Sequence, residues 1–287
     1  MKNILPRWFR VVVAALLLSL PVSAQAGVRV VTLAPHLAEL VCAVDGCQSL
    51  VGVGRYSDYP EAVRALPQVG DAFAVHLETL LRLQPDVVLA WQDGMDASAV
   101  ARAQQLGVNV VWIKTQTLDD IPRALMQIGE LLGEGDAGAR AAQAFGARLM
   151  ALRARYQNRP PLRAFFQIDT APAMSINRRS TIHEALTVCG ADNVFADLPT
   201  VAAMVSLEAV IAAKPEVVIS SQQDDARALN EYWQRLPMLA PSDARRRLTI
   251  NGDWITRPTP RLLDGIAELC EKLEAVRALM LPQAGRI

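Results

Sequence analysis

The stretch LETLLRLQPDVVLA at residues 77–90 returns in outline as LEAVIAAKPEVVIS at residues 207–220, an offset of 207 − 77 = 130 residues. Leu, Glu, Pro, Val and Val recur in register. Each copy reads as the end of a helix, a proline break and a buried strand. Pro85 and Pro215 stop their helices because proline lacks an N–H and clashes with the turn before it. Helix, proline, strand is also common punctuation in α/β chains, so the recurrent Glu78 and Glu208 must decide whether the copy is a true repeat.

The surrounding pattern supports two halves. From Val28, short β-branched runs alternate with helical ones: strand-like RVVTLA (29–34), helical HLAELVCAV (36–44), strand-like LVGVG (50–54), the first repeat copy, helical SAVARAQQLG (98–107) and strand-like VNVVWI (108–113). The alternation resumes at LRAFFQID (162–169) and runs through helical IHEALTVCG (182–190), the second copy, a helical stretch 225–235, strand-like RRLTIN (246–251) and a final helix from Pro260 to about Leu279. This order implies right-handed crossovers and mainly parallel sheets. Between the halves, Leu118 to Gln157 is nearly continuous helix former, with Ala137 to Tyr156 reading as one long amphipathic helix of roughly 30 Å. The expected fold is α/β: two Rossmann-like lobes joined by one long backbone helix, with a ligand cleft between them. The expected division is a leader at 1–26, an N-terminal lobe at 27–117, a helical connector at 118–161 and a C-terminal lobe at 162–287. A single helix absorbs little dihedral change, so only small lobe movements are expected.

The first residues are read as an export signal. Lys2, Arg7 and Arg10 precede the apolar run Val11 to Leu20, and Ala24-Gln25-Ala26 is a small-residue cleavage site, giving a mature chain from Gly27. The apolar run is too short for a membrane span. With 29 basic and 29 acidic residues, no general attraction to nucleic acid or anionic lipid is expected. Three scattered histidines assemble no local zinc site, and no metal or cofactor is expected.

Export makes disulfides the expected state of Cys42, Cys47, Cys189 and Cys270, for which three pairings exist. If Gly46 is the left-handed residue after the helix end, Cys42 and Cys47 occupy the positions that touch in a Schellman motif. That leaves Cys189 with Cys270, closing a loop of 270 − 189 = 81 residues. Four buried free thiols are the alternative.

On the pieces TLAPHLAEL (32–40), VGVGRYSDYPEAV (51–63), LETLLRLQPDVVLAW (77–91), VCGADNVFADL (188–198), VSLEAVIAAKPEVVI (205–219) and GDWITRPTPRLL (252–263), the chain resembles the periplasmic substrate-binding proteins of ABC importers for cobalamin, iron-siderophores and haem. YSDYP together with DW-x-x-R brings it nearest the cobalamin branch. The resemblance covers essentially the whole mature chain. It implies capture of a corrinoid and delivery to an ABC permease dimer, by a monomeric, periplasmic, non-enzymatic carrier.

Residue by residue, it implies ligand contact at Tyr56 and at Asp253, Trp254, Ile255, Thr256 and Arg257, aromatic walls at Phe73 and Trp91, a Cys189–Cys270 disulfide, and permease docking through Glu78 and Glu208, one per lobe. A corrin is a large, partly apolar plate fringed by amides. Flat side chains with a polar edge suit its face, and an acceptor and donors such as Asp253 and Arg257 suit its rim. Packing in the core is the alternative for Trp91 and Trp254, a turn or cap for Asp253, and a solvated helix face for the glutamates.

Two departures bear on the ligand. VAAMVSLE (201–208) has alanines where the better-known cobalamin binders carry a tryptophan, and Met174 stands where an aromatic is expected. That wall is softer or wider, which keeps siderophore and haem as alternatives. His36 and His76 are read as structural before they are read as metal ligands. An exported α/β hydrolase is disfavoured because the chain has no G-x-S-x-G elbow.

Overall fold

The computed structural model describes residues 27–221 and 226–280; the leader at 1–26, with its cleavage after Ala26, lies outside the described residues. The first half builds β1 (Val30–Thr32), α1 (Pro35–Ala43), β2 (Leu50–Gly52), α2 (Leu77–Arg82), β3 (Val87–Trp91), α3 (Ala97–Gln105) and β4 (Val110–Ile113). Its four strands are parallel, in the order β2-β1-β3-β4. Then follow α4 (Asp120–Leu132) and α5 (Gly135–Tyr156).

The second half builds β5 (Leu162–Phe166), β6 (Asp169–Thr170), β7 (Ala173–Ile176), α6 (Thr181–Val188), β8 (Ala191–Asn193), β9 (Ala202–Met204), α7 (Leu207–Ala213), β10 (Val217–Ser221), α8 (Ala226–Gln234), β11 (Arg247–Ile250), α9 (Gly252–Ile255) and α10 (Leu262–Met280). Its parallel sheet, β11-β10-β5-β8, has the same order of first, second, third and fourth strand as the other half. A small antiparallel sheet, β6-β7-β9, is added to it.

The repeat is structural to the residue. Both β3 and β10 run five residues, and 217 − 87 = 130. The helices before them stop at Gln84 and Lys214, again 130 apart, each left-handed with φ of 45° and 46°. A residue before proline is pushed out of the right-handed helical region, and here both flip to the other hand. The acidic residue after each proline also has a purpose. Asp86 accepts the backbone N–H of Arg29 at 2.8 Å, and Glu216 accepts that of Arg163 at 2.9 Å. The same arginines donate to the orphan carbonyls at the helix ends, Arg29 to Leu83 and Gln84, Arg163 to Ala213 and Lys214. One clasp per lobe thus ties helix end, proline and first strand together.

The connector is a helical hairpin. Gly133 ends α4 in the left-handed conformation with φ 76°. Where α4 meets α5, a Cβ added to Gly138 would lie 2.8 Å from the Leu125 carbonyl oxygen and 3.2 Å from the Gly129 Cα. The two glycines let the backbones touch. Gly138→Ala is therefore expected to cost about 1–3 kcal/mol by overpacking; an unchanged denaturant midpoint would contradict this contact. The 22-residue α5 buries Phe145, Leu149, Leu152 and Tyr156 in one core that also holds Leu37 and Leu40 from the first half and Phe166, Leu186 and Leu269 from the second. The lobes share a core through the connector, which restrains their relative motion.

Both disulfides are present, Cys42–Cys47 and Cys189–Cys270. The Schellman motif is there, one residue earlier than expected. Asp45, not Gly46, is left-handed at φ 63°, its N–H meeting the Cys42 carbonyl while the Gly46 N–H meets the Val41 carbonyl. Gly46 is needed for room instead: a Cβ there would fall 2.4 Å from Leu132.

Candidate functional site

In open parallel sheets, ligands bind beyond the carboxyl ends of the strands where the strand order reverses. In the first lobe that point lies between β1 and β3, which lead to His36 and Trp91. In the second it lies between β5 and β10, which lead to Gln167 and Ser221.

Tyr56 sits in a turn after β2, closed by the Ser57 N–H and Oγ–H, both donating to the Gly54 carbonyl. Its φ is 67° and it is 70% exposed. A bulky residue in the left-handed region is costly and persists where its surroundings enforce it. Nearby, the Asp71 carboxylate accepts the N–H groups of Phe73 and Ala74, a turn that holds Phe73 out at 85% exposure. Trp91 is partly buried; its ring packs over Gly94, where a Cβ would lie 2.1 Å away, and meets His36 edge-on at 5.0 Å between centroids. Its indole Nε1 is buried and has no hydrogen-bond partner among the described residues.

From the other lobe, Asn251 caps α9, and Asp253 and Trp254 stand partly exposed in that turn. Thr256 is exposed with its hydroxyl donating to the Gly252 carbonyl. Ile255 is a correction: it is fully buried in the core, because one residue in each helical turn must face inward, and it cannot touch a ligand here. Arg257 reaches across to the first lobe, donating to Glu39 at 2.9 Å and to Asp58 at 2.5 Å, with Asp253 at 3.1 Å. Arg261 forks onto Glu39 at 3.0 and 2.6 Å and lies over the Tyr59 ring at 3.7 Å. Burial opposes the charge on Arg257, but hydrogen bonds to Asp58 and Glu39 outweigh it and raise its pKa. The hydrogen bond from Arg257 likewise holds the Asp58 carboxyl below its ordinary range.

Tyr56, Asp58 and Arg257 line one cavity of about 530 Å³ with Arg55, Arg64 and Gln68. A larger cavity, about 660 Å³, lies on the flank between Arg153 of α5, Gln157 just after that helix, and Arg178, His183 and Glu184. It draws on the connector and the second half, has no aromatic plate, and is away from the switch points, so volume alone does not make it the site.

His36 is buried and belongs to the structure of the switch point, its Nε2 3.4 Å from the Thr115 hydroxyl. Burial, then the charge of Arg257, push its pKa down to about 3. The unfolded chain takes up this proton near pH 6.5 and the folded one does not. Stability from neutral His36 is therefore full above that pH and falls towards pH 3, by about 1.4 kcal/mol per unit within the window. Urea titrations at pH 7, 6, 5 and 4 are expected to show this slope, and His36→Phe to flatten it. His76 is exposed, just before α2.

Glu78 and Glu208 stand in the first turns of α2 and α7, at equivalent places in the two lobes, and both are exposed. They differ in company: Arg82 pairs with Glu78 at 2.7 Å, whereas the position equivalent to Arg82 is Ala212. Met174, at the position where an aromatic is expected, lies opposite Met204 across β7 and β9. Sequence reasoning passed over Glu39, Asp58 and Arg261. The available signal was Glu39 itself, a lone charge among the apolar residues of HLAELVCAV, since a buried charge calls for a partner.

A model of the periplasmic binding protein family matches residues 30–246. The Vitamin B12-binding protein of Vibrio parahaemolyticus is 34% identical over 251 residues, covering 87% of this chain and 90% of that protein. Its namesake in Salmonella typhi is 32% identical over 263 residues, covering 91% and 96%. Among solved structures, the periplasmic vitamin B12 binding protein BtuF of Vibrio cholerae matches with a TM-score of 0.78 and 30% identity over 88% of this chain and 98% of that one. The periplasmic heme-binding protein BhuT, solved with two hemes, matches with a TM-score of 0.77 and 26% identity over 86% and 98%.

Proposed function

The chain belongs to the periplasmic binding protein family, and from that membership we propose that it captures cobalamin or a related corrinoid between its lobes and hands it to an ABC import permease. The observation that carries this reading is the cavity in which Tyr56 and Asp58 of one lobe meet Arg257 of the other, 199 residues away from Asp58. Tyr56, Phe73, Trp91 and Trp254 offer faces to the macrocycle; Asp253 and Arg257 offer an acceptor and donors to its amide rim. Glu78 and Glu208 dock on the two permease subunits. The chain acts as a monomeric carrier rather than an enzyme, exported by residues 1–26, cleaved after Ala26, and divided at 27–117, 118–161 and 162–287. The corrinoid is cargo, not a cofactor.

The Met174–Met204 wall favours a second reading, haem or a ferric siderophore, since a flexible thioether surface accepts plates of other outlines. Thermal unfolding with each ligand separates the two. Saturating cyanocobalamin, at a hundred times its Kd, is expected to stabilise by about 2.7 kcal/mol. Stabilisation by haem or a ferric siderophore but not by cyanocobalamin or cobinamide would replace the first reading with the second.

A further inference from the structure

We infer that Glu39 is a positioning residue of the cleft: its carboxylate, carried by the N-terminal lobe, holds Arg257 and Arg261 of the other lobe, setting both the lobe spacing and the pose of Arg257. The Glu39 side chain is 3% exposed and those of the two arginines 14% and 19%. One carboxylate so buried accepts three guanidinium N–H bonds, two in the fork from Arg261 and one from Arg257. Tyr59 covers the face of Arg261, and Asp58 shares the Arg257 Nη1 with Glu39, so first-lobe groups hold both arginines of the segment between α9 and α10.

Separating the lobes would leave a buried carboxylate without its partners, a state that desolvation penalises strongly. The same contacts hold the Arg257 side chain in one rotamer, with its remaining edge lining the cavity. A ligand then meets a donor that is already ordered, and less entropy is lost on binding. Asp253 alone, on the same turn as Arg257, would leave the guanidinium free to swing with its own lobe.

The inference rests on the corrinoid reading only for its binding arm. In that arm, Glu39→Gln is expected to raise the cyanocobalamin Kd about tenfold and Arg257→Gln about a hundredfold, as for truncated buried charge pairs. If Glu39 acts through Arg257, the double variant binds no worse than Arg257→Gln alone; independent effects would multiply to about a thousandfold and overturn the inference. A merely structural glutamate would give that multiplication. The second arm needs no ligand: nitroxides on Arg82→Cys and Ala212→Cys report the distance between lobes by pulsed electron resonance. A narrow distribution that broadens or lengthens in Glu39→Gln is expected, and an unchanged one overturns the inference. Should that variant not fold, Arg261→Gln removes the fork while leaving Glu39 paired to Arg257, and is expected to broaden the same distribution. If the parent protein binds no cyanocobalamin, the corrinoid reading fails, and the distance measurement still decides the role of Glu39.

Discussion

Glu78→Ala together with Glu208→Ala is expected to abolish corrinoid uptake in cells while leaving the Kd of the isolated protein within about twofold, the usual range for exposed substitutions. The Glu78 side chain is 90% exposed, and both residues stand in the first turn of the repeated helix, away from the cavity lined by Tyr56 and Arg257. Under the proposed docking, charge-assisted pairs between these carboxylates and arginines of a permease would orient the complex and speed encounter, and would weaken as salt screens them. The two handles are not equal. Arg82 already pairs with Glu78, whereas Glu208 has no ion pair among the described residues. Glu208→Ala alone is therefore the more damaging single change, and Arg82→Ala is expected to strengthen docking at low salt. Loss of ligand affinity in the double alanine variant would mean that these residues belong to the cleft instead.

Cys189→Ala with Cys270→Ala is expected to cost roughly 4.5 kcal/mol, the chain-entropy value for an 81-residue loop. Both sulfurs are fully buried where the end of α6 meets α10. Arg277 supports the same junction, donating to the carbonyls of Cys189 at 2.8 Å and Gly190 at 2.7 Å. The Cys42–Cys47 bond spans only five residues at the end of α1, so its removal is expected to cost about half as much on the same model. Chemical denaturation of the two pair-deleted proteins checks the ranking. Equal losses would show that loop length does not govern it.

The halves and the long connector were legible because a fixed offset and a uniform helical composition are statements about backbone period, which sequence carries directly. The arginine clasps were not. Arg29 and Arg163 lie 134 residues apart, outside the 130-residue register of the repeated stretch, and each acts on a helix end fifty or more residues away. The β6-β7-β9 sheet was missed because its strands are short and mix alanine, aspartate and methionine with few β-branched residues. In the site, the motif DWITR was carried over as a block, although a helical turn cannot present five consecutive side chains to one ligand; Ile255 paid no heed to the motif and turned inward. Asp58 and Arg261 lie inside recognisable motifs, but their partners, Arg257 for Asp58 and Glu39 for Arg261, are some 200 positions distant, a separation no local pattern spans.

Hydrogen–deuterium exchange with and without cyanocobalamin tests most directly whether both lobes grip one ligand. Slowed exchange is expected at the turn 54–57 and at the segment 252–257 together, with the flank around His183 to Val188 unchanged. Protection confined to one lobe, or appearing only along that flank, would contradict a corrinoid held between the halves.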